Sequence, residues 1–377
     1  MGRVIWIVLD GVGAGEAPDA ACFSDTGADT LGHVCARQPA LSLPNLEALG
    51  LSRLYGGSRP ALGSYGRARE HSMGKDTTTG HWEMMGVVRE IPFPTYPDGF
   101  PQDIIAAFSR ATGRGVLGNE PASGTQIIAR LGEAHMRTGH YIVYTSADSV
   151  FQIAAHESVV PLDELYEACQ KARSLLTGPH AVARVIARPF VGEPGHFVRT
   201  AGRRDFSLEP PYPMLLDILK EYGVPVWGVG KISDIFCGRG LARHLPSHSN
   251  AEGVEATLLA MKELPSGMIL TNLVDFDMLY GHRRDVEGFA RALEEADWGI
   301  GRVMAAMEPE DTLILCADHG CDPTYGGSDH TRELVPVCFY GGACPADQNM
   351  GTLEGFYHLG NRAAELLGVP FQAGVTT

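Results

Sequence analysis

Three short apolar runs, far apart along the chain, each stop at an acidic or histidine-bearing cluster. They are Val4–Leu9, ending at Asp10; Leu270–Val274, followed by Asp275, Asp277 and His282; and Leu313–Ala317, followed by Asp318 and His319, with His330 eleven residues beyond His319. Runs this short and apolar throughout read as strands buried on both faces, which is the habit of parallel strands. In an open α/β sheet the ligand crevice lies outside the carboxyl ends of the strands, so all three clusters converge on one edge. The pattern predicts an α/β core with a central, mostly parallel sheet. One Asp at a strand end is usually a helix N-cap. Six groups in the same class of position instead make Asp10, Asp277, His282, Asp318, His319 and His330 a candidate two-metal site. Mixed carboxylate and imidazole donors suit Mn²⁺ or Zn²⁺ better than Ca²⁺. Such a site points to a metal-dependent enzyme acting on a phosphate.

At 377 residues the chain is long enough for two to three domains. Its formal charge of -15 argues against general binding to nucleic acid or to an anionic membrane surface. An anionic substrate would therefore need basic groups or cations gathered locally. No apolar run approaches the roughly 20 residues of a membrane span, and the first run is too short for a signal-peptide core. The eight cysteines form no CxxC pair and no dense framework, which predicts reduced thiols and a cytoplasmic protein. Cys316 and Cys321 flank Asp318-His319, but their spacing does not suit a zinc knuckle and no second pair exists, so neither is assigned as a ligand.

The chain divides by pattern into residues 1–95, 96–211 and 212–377. The first and last parts carry the metal candidates, and strands alternate with helices in the last. The stripe from Asp285 to Met307 predicts an amphipathic helix with Asp285 as its N-cap and Pro309 after its last turn. The middle part alternates helical patterns (Gln102–Thr112, Leu162–Leu176) with strand runs (Tyr141–Tyr144, Ala181–Ala187), and none of these ends in an acidic or histidine pair. Pro92, Pro94 and Pro97 precede it and Pro210, Pro211 and Pro213 follow it. This reads as an α+β cap domain inserted into the core through stiff joints.

Local chemistry sharpens the site. Gly320 is expected to permit a sharp turn after Asp318-His319, and Asp277 and His282 bracket a short turn containing Gly281. In Gly74–His81, the run Asp76-Thr77-Thr78-Thr79 predicts a helix N-terminus whose free N–H groups and positive dipole end favour a bound phosphate. A threonine hydroxyl there, activated by a divalent cation, would be a nucleophile. On chemistry alone any of the three threonines would serve. His81 is expected to pack or hydrogen-bond, not to ligate.

The segments Val8–Asp19, Gly74–Glu83, Asp277–Asp285, Ala317–Gly320 and Asp329–Glu333 closely resemble bacterial phosphopentomutase, a family of the alkaline phosphatase-like superfamily. Tyr144–Ser149 and Ile186–Glu193 extend the resemblance into the middle part, so it spans nearly the whole chain. The resemblance implies an alkaline phosphatase-like core with an inserted α+β cap, and a phosphopentomutase interconverting ribose 1-phosphate and ribose 5-phosphate, and the 2-deoxyribose pair. It implies a phosphorylated Thr77, one metal on Asp10, Asp318, His319 and Thr77, and another on Asp277, His282 and His330. It further implies two Mn²⁺ per chain and a sugar bisphosphate activator, either glucose 1,6-bisphosphate or ribose 1,5-bisphosphate. Thr78 and Cys321 depart from the family's usual residues, which are apolar and Asn respectively; neither position is an implied ligand.

A mutase of this kind must keep water from the phosphoryl group, which gives the cap the role of a lid. Arg184, Arg188, Arg199, Arg203 and Arg204 fall within 21 residues of an otherwise acidic chain, and Arg binds two phosphate oxygens at once. The resemblance favours Arg184 and Arg199 for the distal phosphate, Ser146 and Asp148 near the sugar hydroxyls, and Lys231 reaching in from the core. The partners expected are small-molecule pentose phosphates, with no nucleic acid, no membrane and no obligate protein partner.

Overall fold

The computed structural model describes residues 2–374 apart from Ala147, Ser328 and Ala343. The chain forms two compact units, Met1–Pro92 with Pro210–Thr377, and Phe93–Glu209.

The discontinuous unit is built on an eight-stranded sheet. In spatial order its strands are Arg243–Leu245, Val226–Val229, Gly267–Leu273, Arg3–Leu9, Thr312–Cys316, Val335–Gly341, Ser64–Arg69 and Gln348–Glu354. Val335–Gly341 runs against its neighbours, and the others share one direction. The three signal runs are the three central strands, Arg3–Leu9 lying between the other two. Each is buried along its whole length, which explains why they lack the alternation of half-exposed strands. Their register pairs Leu9 with Leu273 and Val8 with Cys316. The residues just past their ends therefore emerge level with one another.

Helix Val286–Ala306 packs against helix Asn250–Glu263 and the Phe276–Gly281 turn and buries Phe289, Leu293, Ile300 and Val303. Fully burying side chains of this size stabilises by roughly 1.5–3 kcal/mol each. Its N-cap is Asp285, which accepts from the Gly288 N–H at 2.8 Å. At the amino end of the central strand, buried Arg3 pairs with buried Asp311 through Nε and Nη2.

The second unit is a six-stranded mixed sheet. Val116–Pro121, Tyr141–Thr145, Val150–His156, Arg184–Val191 and Val198–Arg199 lie in that order, and Arg204–Ser207 also pairs with Arg184–Val191. Side chains leave the Tyr141–Thr145 strand alternately. Tyr141 and Val143 join one apolar cluster with Phe108 and Leu165, while Ile142 and Tyr144 join another with Ile127 and Phe190. The sheet is thus sandwiched between helices Gln102–Thr112 and Leu162–Leu175 on one face and Gly124–Thr138 on the other.

Two boundaries differ from those read in the sequence. The strand expected over Ala181–Ala187 begins at Arg184, because Ala181 and Val182 still bond back to Gly178 and His180 and the Arg173 guanidinium takes the Val182 carbonyl. The joints fall at Pro92–Phe93 and Glu209–Pro210, each a few residues before the expected position. Past the first, the Pro94 carbonyl accepts from Ser149 and Tyr96 packs on Phe100, both within the second unit. Past the second, the Pro210 carbonyl accepts from Arg239 of the core.

Candidate metal centre

Asp10, Asp277, Asp318, His319 and His330 are all buried at the carboxyl edge of the central strands. Asp10 and Asp318 follow adjacent strands directly, and the Gly11 N–H donates to Asp318 Oδ1 at 3.1 Å. Asp277 and His282 sit at opposite ends of a single wide turn, the π-helix Phe276–Gly281. An α-helix of 3.6 residues per turn would leave residues five apart on different faces. The i→i+5 closure from the His282 N–H to the Asp277 carbonyl (3.4 Å) stacks them, and His282 Nε2 lies 3.2 Å from Asp277 Oδ1. His330 Nε2 approaches the same oxygen at 3.1 Å.

Thr77 opens helix Thr77–Met84, with Asp76 as N-cap. Asp76 accepts from the Thr79 N–H at 3.1 Å and from the Thr79 hydroxyl at 2.5 Å. That commits Thr79 to the cap, whereas the Thr77 hydroxyl lies 3.2 Å from His319 Nε2 and 3.5 Å from Asp10 Oδ1. The helix reaches the strand edge because residue 80 is glycine: a Cβ there would lie 2.2 Å from the Asp318 carbonyl oxygen. Gly320, by contrast, does not supply a left-handed turn, as it is absent from the positive-φ glycines. Its lack of a side chain admits Glu333 instead, whose Oε1 would lie 2.4 Å from a Cβ at 320. His81 donates from Nδ1 to the Thr77 carbonyl at 2.9 Å and stands 3.2 Å from Asp318 Oδ2, so it braces the site from behind.

The electrostatics ask for cations. Burial opposes charge on Asp10, yet the Lys231 ammonium, 3.1 Å away, and His319 hold its carboxyl below the usual range. Burial likewise opposes charge on Asp277, and His330 and His282 keep it well below that range. Burial disfavours a charged His319, but Asp318 and Asp10 raise its imidazole well above its ordinary value. Three buried carboxylates thus face only Lys231 and the surrounding imidazoles as counter-charges, and a divalent cation would meet that demand.

The donors fit such an ion. Asp277 Oδ1, Asp318 Oδ2 and His330 Nε2 are buried without a well-aligned hydrogen bond, with one another and the rings of His282 and His81 close by. His330 Nδ1 donates to the Lys75 carbonyl at 2.8 Å, which turns Nε2 toward the Asp277 carboxylate. Metal-binding histidines are oriented by this kind of second bond; His319 Nδ1 likewise donates to the Gly320 carbonyl at 3.0 Å. Ligand atoms of Asp10, Asp318 and His319 lie within 4.8 Å of one another, as do those of Asp277, His319 and His330, and those of Asp277, His282 and Cys321. Cys321 is an addition to the set read from the sequence.

Other groups were also missed. Arg332 is fully buried and donates to the carbonyls of Glu70, Ser72 and Gly74 and to the carboxylates of Asp19 and Glu70. Glu83 accepts from the N–H groups of His71 and Ser72. These two side chains hold the loop that leads into Thr77, Arg332 by its carbonyls and Glu83 by its N–H groups. Only their burial distinguishes them from ordinary surface charges, and no local pattern signals it.

In the second unit, Arg188, Arg199 and Arg203 line a cleft of about 560 Å³ with Thr125, Thr200 and Phe197. The nearby Tyr144 hydroxyl is buried without a partner. Arg184 is not among the lining residues; its guanidinium pairs with Asp205 at 3.6 Å. Ser146 is half-buried and Asp148 exposed, at the end of the Tyr141–Thr145 strand.

Residues 240–370 match the model of the Metalloenzyme superfamily. The chain is 53% identical over 380 residues to a phosphopentomutase of Caldanaerobacter subterraneus subsp. tengcongensis, covering 99% of this chain and 96% of the relative. It is 55% identical to a phosphopentomutase of Symbiobacterium thermophilum, covering 98% and 95%. Among solved structures, Leishmania mexicana phosphoglycerate mutase shares the fold, with a TM-score of 0.53 at 14% identity, covering 98% of this chain and 96% of the other. Among the described residues no helix is long and apolar enough to cross a membrane. Identity of this extent, over a metal-binding α/β core, makes the chain a member of the phosphopentomutase family.

Proposed function

We propose that this isomerase interconverts ribose 1-phosphate and ribose 5-phosphate, and the 2-deoxyribose pair, through a phosphorylated Thr77 and a sugar bisphosphate. The observation that carries the reading is the Thr77 hydroxyl at a helix N-terminus, facing Asp10 and His319 while Thr79 is tied to the cap. Asp10, Asp318, His319 and Thr77 would hold one Mn²⁺, and Asp277, His282 and His330 the other. When bound, the ions supply charge stabilisation for an in-line phosphoryl displacement.

In the forward sense a free sugar hydroxyl attacks the phosphorus of phospho-Thr77. The new sugar O–P bond forms as the Thr77 Oγ–P bond breaks, and the proton lost by the attacking hydroxyl ends on the released threonine oxygen, regenerating the Thr77 hydroxyl. The bisphosphate then returns its other phosphoryl group to Thr77. Lys231 beside Asp10 steadies the carboxylate and offers a cation to the phosphate. A sugar bisphosphate, glucose 1,6- or ribose 1,5-, would reload a dephosphorylated Thr77. In the second unit the arginine-lined cleft supports a phosphate-binding role for Arg199 together with Arg188 and Arg203; Arg184, Ser146 and Asp148 complete the proposed substrate contacts.

A coupled assay for ribose 5-phosphate formed from ribose 1-phosphate checks the reaction. Rapid release of phosphate from a simple aryl phosphate, with no isomerisation, would replace it with a hydrolase. Asp318→Asn and His330→Ala should each lower metal content partially, because they belong to different positions; full occupancy by metal analysis in both variants would remove them from the ligand set. Arg199→Ala should lower kcat/KM about ten- to a hundred-fold, since a charge-assisted contact is worth roughly 1.5–3 kcal/mol. Metal content should not change, and unaltered kinetics would return Arg199 to the solvated surface.

A further inference from the structure

Cys321 follows Asp318-His319-Gly320, is 1% exposed, and lies against the turn that carries Asp277 and His282. Its backbone is fixed by a bond from its N–H to the Thr30 hydroxyl at 3.2 Å. Its side chain is seated against Gly281, where a Cβ would lie 2.5 Å from the Cys321 Sγ. Any larger residue at 281 would displace the sulfur. Asp277, His282 and Cys321 present one ligand atom each, all within 4.8 Å of one another.

Donor atoms bound to one cation are separated by roughly 3–4.5 Å, given metal–sulfur bonds of about 2.3 Å and metal–nitrogen or metal–oxygen bonds of about 2.0–2.2 Å. His282 Nε2 and Asp277 Oδ1, 3.2 Å apart, fall in that range, and the Cys321 sulfur lies within 4.8 Å of a ligand atom of each residue. Independently of the cysteine, Asp277 Oδ1 is a buried carboxylate oxygen that makes no well-aligned hydrogen bond at the same point, although His282 Nε2 and His330 Nε2 approach it at 3.2 and 3.1 Å.

We propose that Cys321 is a sulfur ligand of the second metal position, beside Asp277 and His282. The inference rests on the metal assignment made above and goes beyond it in donor chemistry. The thiol releases its proton to solvent as the sulfur–metal bond forms. A thiolate donor shifts preference from hard cations such as Mn²⁺ toward softer ones such as Zn²⁺ or Cd²⁺. In this chain the two positions then differ in kind, one built of oxygen and nitrogen donors and the other including sulfur.

The experiment uses the full-length protein, stripped by chelation and reloaded with Co²⁺, read by absorption spectroscopy. The expected wild-type spectrum has visible d–d bands and a near-ultraviolet sulfur-to-cobalt charge-transfer band. Cys321→Ser should keep the d–d bands and lose the charge-transfer band. Losing even an outer partner of a metal ligand costs about 10- to 100-fold in affinity. Cys321→Ser should therefore weaken Cd²⁺ binding by at least about 10-fold, with a smaller change for Mn²⁺. A wild-type spectrum with d–d bands but no charge-transfer band overturns the proposal, as does a charge-transfer band that survives in Cys321→Ser. Absence of d–d bands from the wild type would overturn the metal assignment itself, and this inference with it.

Discussion

Thr77→Ala is expected to abolish isomerisation while leaving the fold and nearly all the bound metal in place. The hydroxyl is the proposed phosphoryl carrier, so its loss removes the covalent route altogether; removal of a catalytic nucleophile costs on the order of 10⁴-fold or more. Thr77 is half-buried and its Oγ1 contacts are with Asp10 and His319, so alanine leaves no large cavity. Three carboxylates and three imidazoles remain to hold metal. Thr79→Ala should behave in the opposite way. It deletes a partner of the Asp76 cap, which costs about 1 kcal/mol of stability, and retains substantial activity. Assays of both variants, with metal analysis and thermal melting, separate the two roles. An active Thr77→Ala enzyme beside a dead Thr79→Ala enzyme would overturn the assignment.

Arg332→Ala should be the most destabilising of the substitutions considered. The guanidinium is 1% exposed and serves three backbone carbonyls and two carboxylates. Arg332 also holds Asp19 below the usual carboxylate range despite burial, whereas burial pushes the Glu70 carboxyl well up. Both carboxyls lie in direct contact with the guanidinium, Glu70 at 2.7 Å and Asp19 at 2.9 Å. Breaking a buried pair from one side costs roughly 3–5 kcal/mol, a large share of the 5–15 kcal/mol that holds a typical domain together. Lysine should fail nearly as badly, because a point charge cannot reproduce the planar fork. Denaturant midpoints measure the loss, and wild-type midpoints for both variants would show that the network is dispensable. The Ser72 and Gly74 carbonyls would lose their donor, so any folded Arg332→Lys protein should also isomerise slowly.

The parts of the site legible in the sequence are those set by one strand or one cap. Asp10 and Asp318 follow fully apolar runs, and such runs have little alternative to a central parallel strand. Asp285 and Asp76 cap helices where local rules place them. What could not be read depends on contacts across the chain. The choice of Thr77 over Thr79 follows from which hydroxyl Asp76 captures. The stacking of Asp277 and His282 needs a π-turn, for which residue preferences give no cue. Arg188 and Arg203 join Arg199 only because Val198–Arg199 and Arg204–Ser207 pair with the same strand. Cys321 is not legible by spacing because Asp277 and His282, whose ligand atoms it approaches, lie some forty residues earlier, and spacing rules for cysteine address only neighbours in sequence.

The central position of Arg3–Leu9 has a consequence for how the molecule is made. That strand pairs on one side with Gly267–Leu273 and on the other with Thr312–Cys316, so neither neighbour exists when it leaves the ribosome. At roughly 5–20 residues per second it waits about 15–50 s for the first of them. During that interval a six-residue apolar segment with unpaired edges is open to aggregation. The intervening unit, Phe93–Glu209, contains its own sheet and apolar clusters and can form meanwhile. Loop closure across the interval adds only slowly with length, about 0.6 kcal/mol per doubling, so the delay burdens the rate of maturation far more than the stability finally reached. Ribosome-bound chains halted before residue 267 should therefore protect the second unit from protease and leave Arg3–Leu9 exposed to holdase chaperones.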